Sequence, residues 1–290
     1  MDAITLSAYA KINLTLDVTG RRPDGYHTVR MVMQSVGLHD DVTVTRTGTG
    51  GVTLACDKPF VPTDGRNLAV RAAEHFFACT GLSCDGLHIA LKKRIPVAAG
   101  LAGGSTDAAA VLRALDTLYG AGLSTDALCG MGLALGADVP YCLVGGTMLA
   151  EGIGEALTPL PPMPDCWAVL CKPGFSVSTA AVYAQMNGGD LPERPDTAGV
   201  LRALQAGDYA GVCHRLYNVM ERVTARAHAE IGQIKDVLLA CGADGAAMSG
   251  SGPTTFGLFR SEDKARKAYA ALRRDFPDTH LTRMQPGWGR

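Results

Sequence analysis

The stretch Pro96-Val-Ala-Ala-Gly-Leu-Ala-Gly-Gly-Ser-Thr-Asp107 joins two patterned segments through three glycines and several small residues. The segment before it, residues 87–95, is apolar and partly alternating, which predicts a strand. The segment after it has apolar residues at three- and four-residue spacing, which predicts a helix with one buried face: Ala108, Val111, Leu112, Leu115, Leu118 and Tyr119. The stretch therefore predicts a strand, a glycine-rich loop and a helix.

Such a loop is suited to binding phosphate. Glycine permits positive φ and close approach, so backbone N–H groups can turn toward an anion. We expect Ser105, Thr106 or Asp107 to cap the helix, whose positive dipole end also favours phosphate. An ordinary strand-to-helix connection is the alternative, because the chain has 35 glycines in 290 residues and clusters also arise without function.

Other nucleotide-binding signatures are missing from the sequence. No Gly-Lys pair occurs, which excludes the P-loop pattern, and no G-x-G-x-x-G follows a strand and opens a helix. His-Arg-Asp and Asp-Phe-Gly, typical of protein kinases, are also missing.

Composition indicates a globular protein. Hydrophobic residues make up 47% and charged residues 19%, and the net charge of −1 provides no basic field for nucleic acid. No apolar run is long enough to span a bilayer, and the N-terminus lacks a signal-peptide pattern. The nine scattered cysteines, never spaced Cys-x-x-Cys, predict small core residues in a reducing compartment and no metal cluster. We therefore expect a cytoplasmic protein without a membrane or nucleic-acid partner.

Further segments predict a mixed-sheet α+β protein rather than a doubly wound parallel sheet. The predicted strands are 4–18, 28–36, 41–46, 87–95, 141–150, 167–171, 245–248 and 254–259. The predicted helices, besides the one after the loop, include 67–78, 125–135, 230–240 and 262–274. Four prolines within residues 159–164 predict a boundary between two halves near residue 158.

Two charged residues are candidates for chemistry. Lys11 lies inside the first predicted strand with Asn13 on the same face, and is either a surface lysine or a cation beside a transferring phosphoryl group. Asp138 follows a predicted helix and precedes an apolar segment. It either caps the backbone or orients and deprotonates a hydroxyl.

Aromatic and glycine-rich segments supply further candidates. Tyr26 and His27 leave the turn at residues 23–25, where they either pack in a strand or contact a nucleobase. Residues 249–252 form a second glycine-rich segment, either an anion nest or a tight connection. Thr179 and Tyr183 lie one helical turn apart and could line a pocket, although the residues themselves favour ordinary packing.

Taken together, these segments resemble the GHMP kinase family. Its phosphate motif, Pro-x-x-x-Gly-Leu-Gly followed by small residues, is similar to residues 96–106, with departures at Ala102 and Thr106. Residues 8–14, 22–27, 135–140 and 248–253 match further motifs of one branch in the expected order. The resemblance thus covers most of the chain.

The resemblance implies an ATP-binding N-terminal domain over residues 1–158, like domain 2 of ribosomal protein S5, and a ferredoxin-like C-terminal kinase domain over residues 159–290. It implies ATP-dependent phosphorylation, with Mg²⁺ bound to the nucleotide, of the 2-hydroxyl of a cytidine diphosphate-linked polyol in non-mevalonate isoprenoid synthesis. No obligate protein partner is implied.

The resemblance also assigns roles to residues. Lys11 and Asp138 are implied to be catalytic, with Lys11 keeping Asp138 ionised. The implied substrate-binding residues are Asn13, Tyr26, His27, Thr179 and Tyr183. The implied ATP-binding residues are Pro96, Val97, Ala98, Ala99, Gly100, Leu101, Ala102, Gly103, Gly104, Ser105 and Thr106.

Two other functions stay open at this point. A homoserine or mevalonate kinase is the first, although the aromatic Tyr26-His27 pair argues against substrates that carry no base. A non-catalytic nucleotide sensor is the second, although such a protein would ordinarily lack the lysine or the aspartate.

Overall fold

The computed structural model describes residues 2–186 and 193–288. Its strands are β1 (Ala3–Arg21), β2 (His27–Arg46), β3 (Val52–Cys56), β4 (Leu87–Lys92), β5 (Thr147–Glu151), β6 (Ala156–Pro159), β7 (Trp167–Cys171), β8 (Tyr217–Asn218), β9 (Gly245–Met248), β10 (Thr255–Phe259) and β11 (Thr279–Arg283). Its helices are α1 (Leu68–Thr80), α2 (Gly103–Tyr119), α3 (Thr125–Leu135), α4 (Val139–Val144), α5 (Thr179–Gln185), α6 (Thr197–Gln205), α7 (Tyr209–Cys213), α8 (Glu221–Ala227), α9 (Glu230–Ala240) and α10 (Glu262–Arg273).

The chain divides into two compact units that interleave along the sequence. Unit 1 contains the residues up to Ala10 together with His39–Ile95 and Ala102–Val144. Unit 2 contains Lys11–Leu38, Pro96–Leu101 and the residues from Gly145 onward. The strands β1 and β2 therefore each supply residues to both units. The division into domains 1–158 and 159–290 stays a prediction.

Unit 1 is built on the strand order β3-β4-β2-β1. The strands β3 and β4 are parallel, whereas β2 runs antiparallel to β4 with Val44 opposite Ile89. The helix α2 packs against α1 and α4, and its predicted apolar face is buried at Val111, Leu112 and Leu115. Removing this face from water anchors the helix that follows the glycine loop.

Side-chain caps explain where two helices of unit 1 begin. The Asn67 side chain accepts from the Ala69 N–H before α1, and the Ser124 side chain accepts from the Ala127 N–H before α3. Each cap satisfies a backbone donor that the helix itself leaves unpaired. The helix α3 has the predicted bounds, and α1 begins one residue later than predicted and ends two later.

Two sheets contain strands of unit 2, namely the mixed seven-stranded sheet to which β1 and β2 belong and an antiparallel four-stranded sheet. In the first, β8 is parallel to β1, while β5 pairs antiparallel with β2 and β6. The second has the order β11-β7-β10-β9, and its core includes Val169, Ile234, Leu238, Phe259 and Leu272 beneath α9 and α10. Parallel and antiparallel pairs occur in one molecule, which confirms the α+β prediction.

The prediction of a strand over residues 141–150 is wrong in its first half. The helix α4 occupies Val139–Val144, and Gly145 and Gly146, with φ of 68° and 77°, turn the chain before β5. A short apolar run does not distinguish a buried helix from a strand. Pro140 lies in the first turn of α4, where a missing backbone N–H breaks no helical hydrogen bond.

The nine cysteines all lie within the described residues, and none of them forms a disulfide. Cys142, Cys166, Cys171 and Cys213 are buried, as predicted for small core residues, whereas Cys79 is exposed in α1. Throughout residues 2–186 and 193–288, no helix is both long enough and apolar enough to cross a membrane.

Candidate active site

The first glycine loop, residues 96–102, contains three residues in the left-handed region. Gly100 has φ of 76°, and Ala98 and Ala102 have φ of 52° and 60° although both carry a Cβ. A left-handed alanine costs about 1–2 kcal/mol relative to the right-handed conformation. Ala102 therefore keeps the backbone conformation expected of the usual glycine, at the cost of local strain.

The second glycine loop, residues 249–252, lies directly against the first within unit 2. A Cβ on residue 100 would lie 2.2 Å from the Ser249 carbonyl oxygen and 3.1 Å from the Gly252 nitrogen. The Ser249 hydroxyl donates to the Gly100 carbonyl at 2.9 Å. Because the two backbones touch, only glycine fits at position 100.

Lys11 is buried beside these loops, with 4% of its surface exposed. Its ammonium donates to Asn13 Oδ1 at 2.8 Å and to the Gly100 carbonyl at 3.0 Å. The surface interpretation of Lys11 is therefore wrong. Among the described residues, these two acceptors satisfy two of the three ammonium hydrogens, which leaves one for a ligand.

The Asn13 amide is fully enclosed, with 0% of the residue exposed. Its Oδ1 accepts from Lys11 and also from the Gly250 N–H at 2.9 Å, while its Nδ2 contacts the Met31 sulfur at 3.2 Å. The side chain thus links the lysine to the second glycine loop. One amide hydrogen stays uncommitted among the described contacts.

Two predicted substrate residues form an aromatic stack in unit 2. The rings of His27 and Tyr183 are parallel within 19°, with centroids 4.8 Å apart. Partial burial, reinforced by the positive charge of Arg21, lowers the His27 pKa below its ordinary value, which favours the neutral imidazole. Tyr26 is 60% exposed next to this pair, and the Thr179 and Ser251 hydroxyls are hydrogen-bonded at 2.8 Å.

The amino end of α2 belongs to unit 1. The helix begins at Gly103 and its N-cap residue, Ala102, provides no side-chain hydrogen bond. The prediction that Ser105, Thr106 or Asp107 caps this helix is wrong, since the helix starts before all three. The Thr106 hydroxyl instead donates to the Tyr9 carbonyl at 2.9 Å. The first backbone N–H groups of α2 are thereby left without side-chain caps, as an anion site requires.

A buried charged network in unit 1 was not predicted. The Lys93 ammonium contacts the carboxylates of Asp40 and Asp107, and all three side chains are buried. Asp40 also accepts from the backbone N–H groups of Arg94 and Ile95, at 2.5 and 2.8 Å. Desolvation raises the pKa of Asp107 to about 7. The sequence feature that could have indicated this network is Lys93, a charged residue inside the predicted strand and three positions before the loop.

Asp138 lies immediately before α4 in unit 1. Its backbone carbonyl accepts from the Cys142 N–H at 3.0 Å, so the residue begins this short helix. The side chain is half-buried, and no hydrogen-bond partner for its carboxylate occurs among residues 2–186 and 193–288. The carboxylate is therefore available to accept a proton or a hydrogen bond from a ligand.

The same described residues provide no cluster of metal-ligating side chains. They contain no group of three or more His, Cys, Asp or Glu side chains able to hold a metal ion.

Comparison with known proteins identifies the class to which this fold and site belong. The patterns of the GHMP kinases N terminal domain and of the GHMP kinases C terminal domain match residues 67–146 and 200–278. The chain belongs to the GHMP kinase family, whose members transfer phosphoryl groups to small molecules and use ATP as the donor.

Individual relatives are more specific than the family. A 4-diphosphocytidyl-2-C-methyl-D-erythritol kinase of Brevibacillus brevis is 47% identical over 281 residues, which cover 97% of this chain and 96% of that protein. A crystal structure of 4-(cytidine 5'-diphospho)-2C-methyl-D-erythritol kinase has a TM-score of 0.82 and 37% identity, covering 98% of this chain and all 100% of the other. A homoserine kinase from Cytophaga hutchinsonii shares the fold, with a TM-score of 0.80, at only 20% identity over 99% of this chain and 96% of that one.

Proposed function

We propose that the chain transfers the γ-phosphoryl group of ATP to the 2-hydroxyl of 4-diphosphocytidyl-2-C-methyl-D-erythritol, giving the 2-phosphate and ADP in non-mevalonate isoprenoid precursor synthesis. The observation that carries this proposal is the buried Lys11 ammonium, held against Gly100 of the first glycine loop. The 47% identity to the Brevibacillus brevis kinase over 97% of the chain supports the choice of substrate.

The ATP phosphates are proposed to bind residues 96–106. The uncapped N–H groups at the start of α2 and the left-handed residues of the loop supply donors for phosphate oxygens. Mg²⁺ is proposed to arrive with the nucleotide, where it neutralises charge on the phosphates. The fold already holds these backbone N–H groups in place. They therefore need no reorganisation when negative charge develops on the phosphate oxygens during transfer.

Asp138 is proposed to orient and deprotonate the acceptor hydroxyl. Its carboxylate has no hydrogen-bond partner among the described residues, and the start of α4 fixes its backbone. Lys11 is proposed to stabilise the negative charge that develops during transfer, through its remaining ammonium hydrogen. Because a tertiary alcohol is a poor nucleophile, we expect both residues to be needed.

The cytosine base is proposed to bind at Tyr26, His27 and Tyr183. The stacked rings of His27 and Tyr183 present an aromatic surface, and the exposed Tyr26 ring lies next to them in sequence. Asn13, through its uncommitted amide hydrogen, and Thr179, through its hydroxyl, are proposed as further substrate contacts. These residues distinguish the proposed substrate from alcohols that carry no base.

A coupled ATPase assay tests this function against the other members of the fold class. The purified chain is incubated with ATP and, one at a time, the cytidylated polyol, homoserine and mevalonate. We expect ADP release above background only with the cytidylated polyol. Turnover with homoserine or mevalonate instead would contradict the substrate assignment. ATP binding by calorimetry without turnover of any acceptor would favour a nucleotide sensor.

We further propose that the enzyme acts in the cytoplasm on small molecules alone. None of its nine cysteines forms a disulfide, which is usual in a reducing compartment.

A further inference from the structure

Asn218 is a buried asparagine, 3% exposed, in β8 beside β1, and it lies outside the set of residues proposed to bind or react. Its Nδ2 donates to the carbonyl oxygens of Met248 and Gly250, both at 2.8 Å. Its Oδ1 accepts from the Met220 N–H at 2.9 Å. The orientation of this amide is fixed, because only its nitrogen can donate to the two carbonyls.

The peptide of Gly250 extends this contact to the proposed catalytic lysine. The Gly250 N–H donates to Asn13 Oδ1 at 2.9 Å, and the same oxygen accepts from the Lys11 ammonium at 2.8 Å. The approach is close, since a Cβ on Gly250 would lie 3.2 Å from Lys11 Nζ. Four residues of unit 2, Asn218, Gly250, Asn13 and Lys11, are therefore joined in one buried chain of hydrogen bonds.

The start of α8 holds the second glycine loop at additional points. The Glu221 carboxylate accepts from the Met248 N–H at 2.9 Å and pairs with Lys235 at 2.6 Å. The Thr224 hydroxyl lies 3.3 Å from the carbonyl oxygens of both Ser251 and Met220, which share its single hydrogen. Residues 218–224 thus anchor residues 248–251, and Asn218 is the member of this segment that binds the carbonyl of Gly250.

We propose that Asn218 is a positioning residue for Lys11. Asn218 fixes the Gly250 peptide, the Gly250 N–H holds the Asn13 side chain, and Asn13 orients the Lys11 ammonium. The inference rests on the proposed role of Lys11 in phosphoryl transfer. A displacement of about 1 Å in such a group can lower the rate about 10²-fold, so the chain of contacts has a measurable effect on turnover.

The variant Asn218→Asp keeps the size of the side chain and places an oxygen opposite the carbonyls of Met248 and Gly250. We expect kcat to fall at least about 10-fold, while KM for each substrate changes less than about threefold. Asp208→Ala is the matched control, because it removes the cap of α7 in the same unit, where Asp208 accepts from the Gly211 N–H at 2.9 Å. This control should lower Tm without changing kcat. If Asn218→Asp does not fold, Asn218→Ser, which keeps one donor, is used in its place.

A double-variant cycle with Lys11→Met separates positioning from general stability. If Asn218 acts through Lys11, Asn218→Asp should change kcat less than about twofold in the Lys11→Met background. If the two losses multiply, Asn218 acts elsewhere and the inference is overturned while the proposed function stands. If Lys11→Met itself keeps normal kcat, both the inference and the proposed role of Lys11 are overturned.

Discussion

Gly100 and Ser249 approach each other so closely that no side chain fits at position 100, where a Cβ would lie 2.2 Å from the Ser249 carbonyl oxygen. The Gly100 carbonyl accepts from both the Ser249 hydroxyl and the Lys11 ammonium, at 2.9 and 3.0 Å. One backbone oxygen therefore joins the two glycine loops to the buried lysine. A shift of this peptide would displace all three.

The first prediction concerns Gly100→Ala. The added Cβ forces the two loops apart, and φ of 76° is unfavourable for alanine. We expect kcat/KM to fall at least about 10²-fold in a coupled assay. Gly232→Ala in α9 is the control, because a Cβ there meets nothing within 4 Å and activity should be unchanged. Near-normal turnover of Gly100→Ala would show that the loops need not touch.

The second prediction concerns Ala102→Gly. Ala102 has φ of 60°, a conformation that is strained for alanine, so glycine at this position relieves strain in the folded state. Part of this stabilisation is offset because glycine also increases the conformational entropy of the unfolded chain. We expect stabilisation by up to about 1 kcal/mol, measured as a rise in Tm by calorimetry. Ala134→Gly, at an exposed position inside α3, should instead lower Tm because glycine is a poor helix former. A fall in Tm for both variants would contradict the strain at Ala102.

The third prediction concerns the pH dependence of stability. The pKa of Asp107 is raised from 3.8 to about 7 in the folded protein, so between these values the folded state binds more protons than the unfolded state. Stability from this group therefore falls as pH rises from about 4 to about 7. We expect Asp107→Asn to become increasingly stable relative to the parent chain over that range, as followed by thermal melts.

Asp40→Asn provides the contrast to Asp107→Asn. Asp40 accepts from the N–H groups of Arg94 and Ile95 and also pairs with Lys93, so its charge is compensated. Asp40→Asn should destabilise the protein, because the buried Lys93 ammonium then loses a carboxylate partner. If the stability of the two variants, relative to the parent chain, changes with pH in the same way, the different roles assigned to the two carboxylates are contradicted.

The fourth prediction concerns Asp138→Asn. The amide cannot accept the hydroxyl proton, so kcat should fall at least about 10²-fold, while the affinity for a non-hydrolysable ATP analogue stays unchanged by calorimetry. Asp126→Asn is the control, because Asp126 is an exposed aspartate in the first turn of α3. Normal turnover of Asp138→Asn would remove this residue from the chemistry.

Elements with strong local signals were predictable from the sequence. The bounds of α3, β7, α9 and β9 were predicted without error, since each has a clear apolar pattern between polar or glycine-containing segments. The helix over residues 139–144 was not predicted, because a short apolar run between Asp138 and Gly145 is compatible with either a helix or a strand. Tertiary packing decides such cases.

Part of the candidate site was also predictable. Lys11, the two glycine loops, the Tyr26-His27 segment and Tyr183 were proposed as separate parts of the sequence. The structure brings Lys11, Gly100 and Ser249 into contact and, separately, stacks His27 on Tyr183. The network of Lys93 with Asp40 and Asp107, and the contacts of Asn218, could not be foreseen. They depend on which distant side chains meet in the core, and periodicity does not carry that information.

The most direct test of the central claim is the analysis of the reaction product. After incubation of the chain with ATP and 4-diphosphocytidyl-2-C-methyl-D-erythritol, the polyol should gain the mass of one phosphoryl group. The new phosphorus resonance should show no three-bond coupling to a proton, because the carbon bearing the 2-hydroxyl carries none. An unchanged mass, or a phosphate coupled to a carbinol proton, would contradict phosphorylation of the 2-hydroxyl.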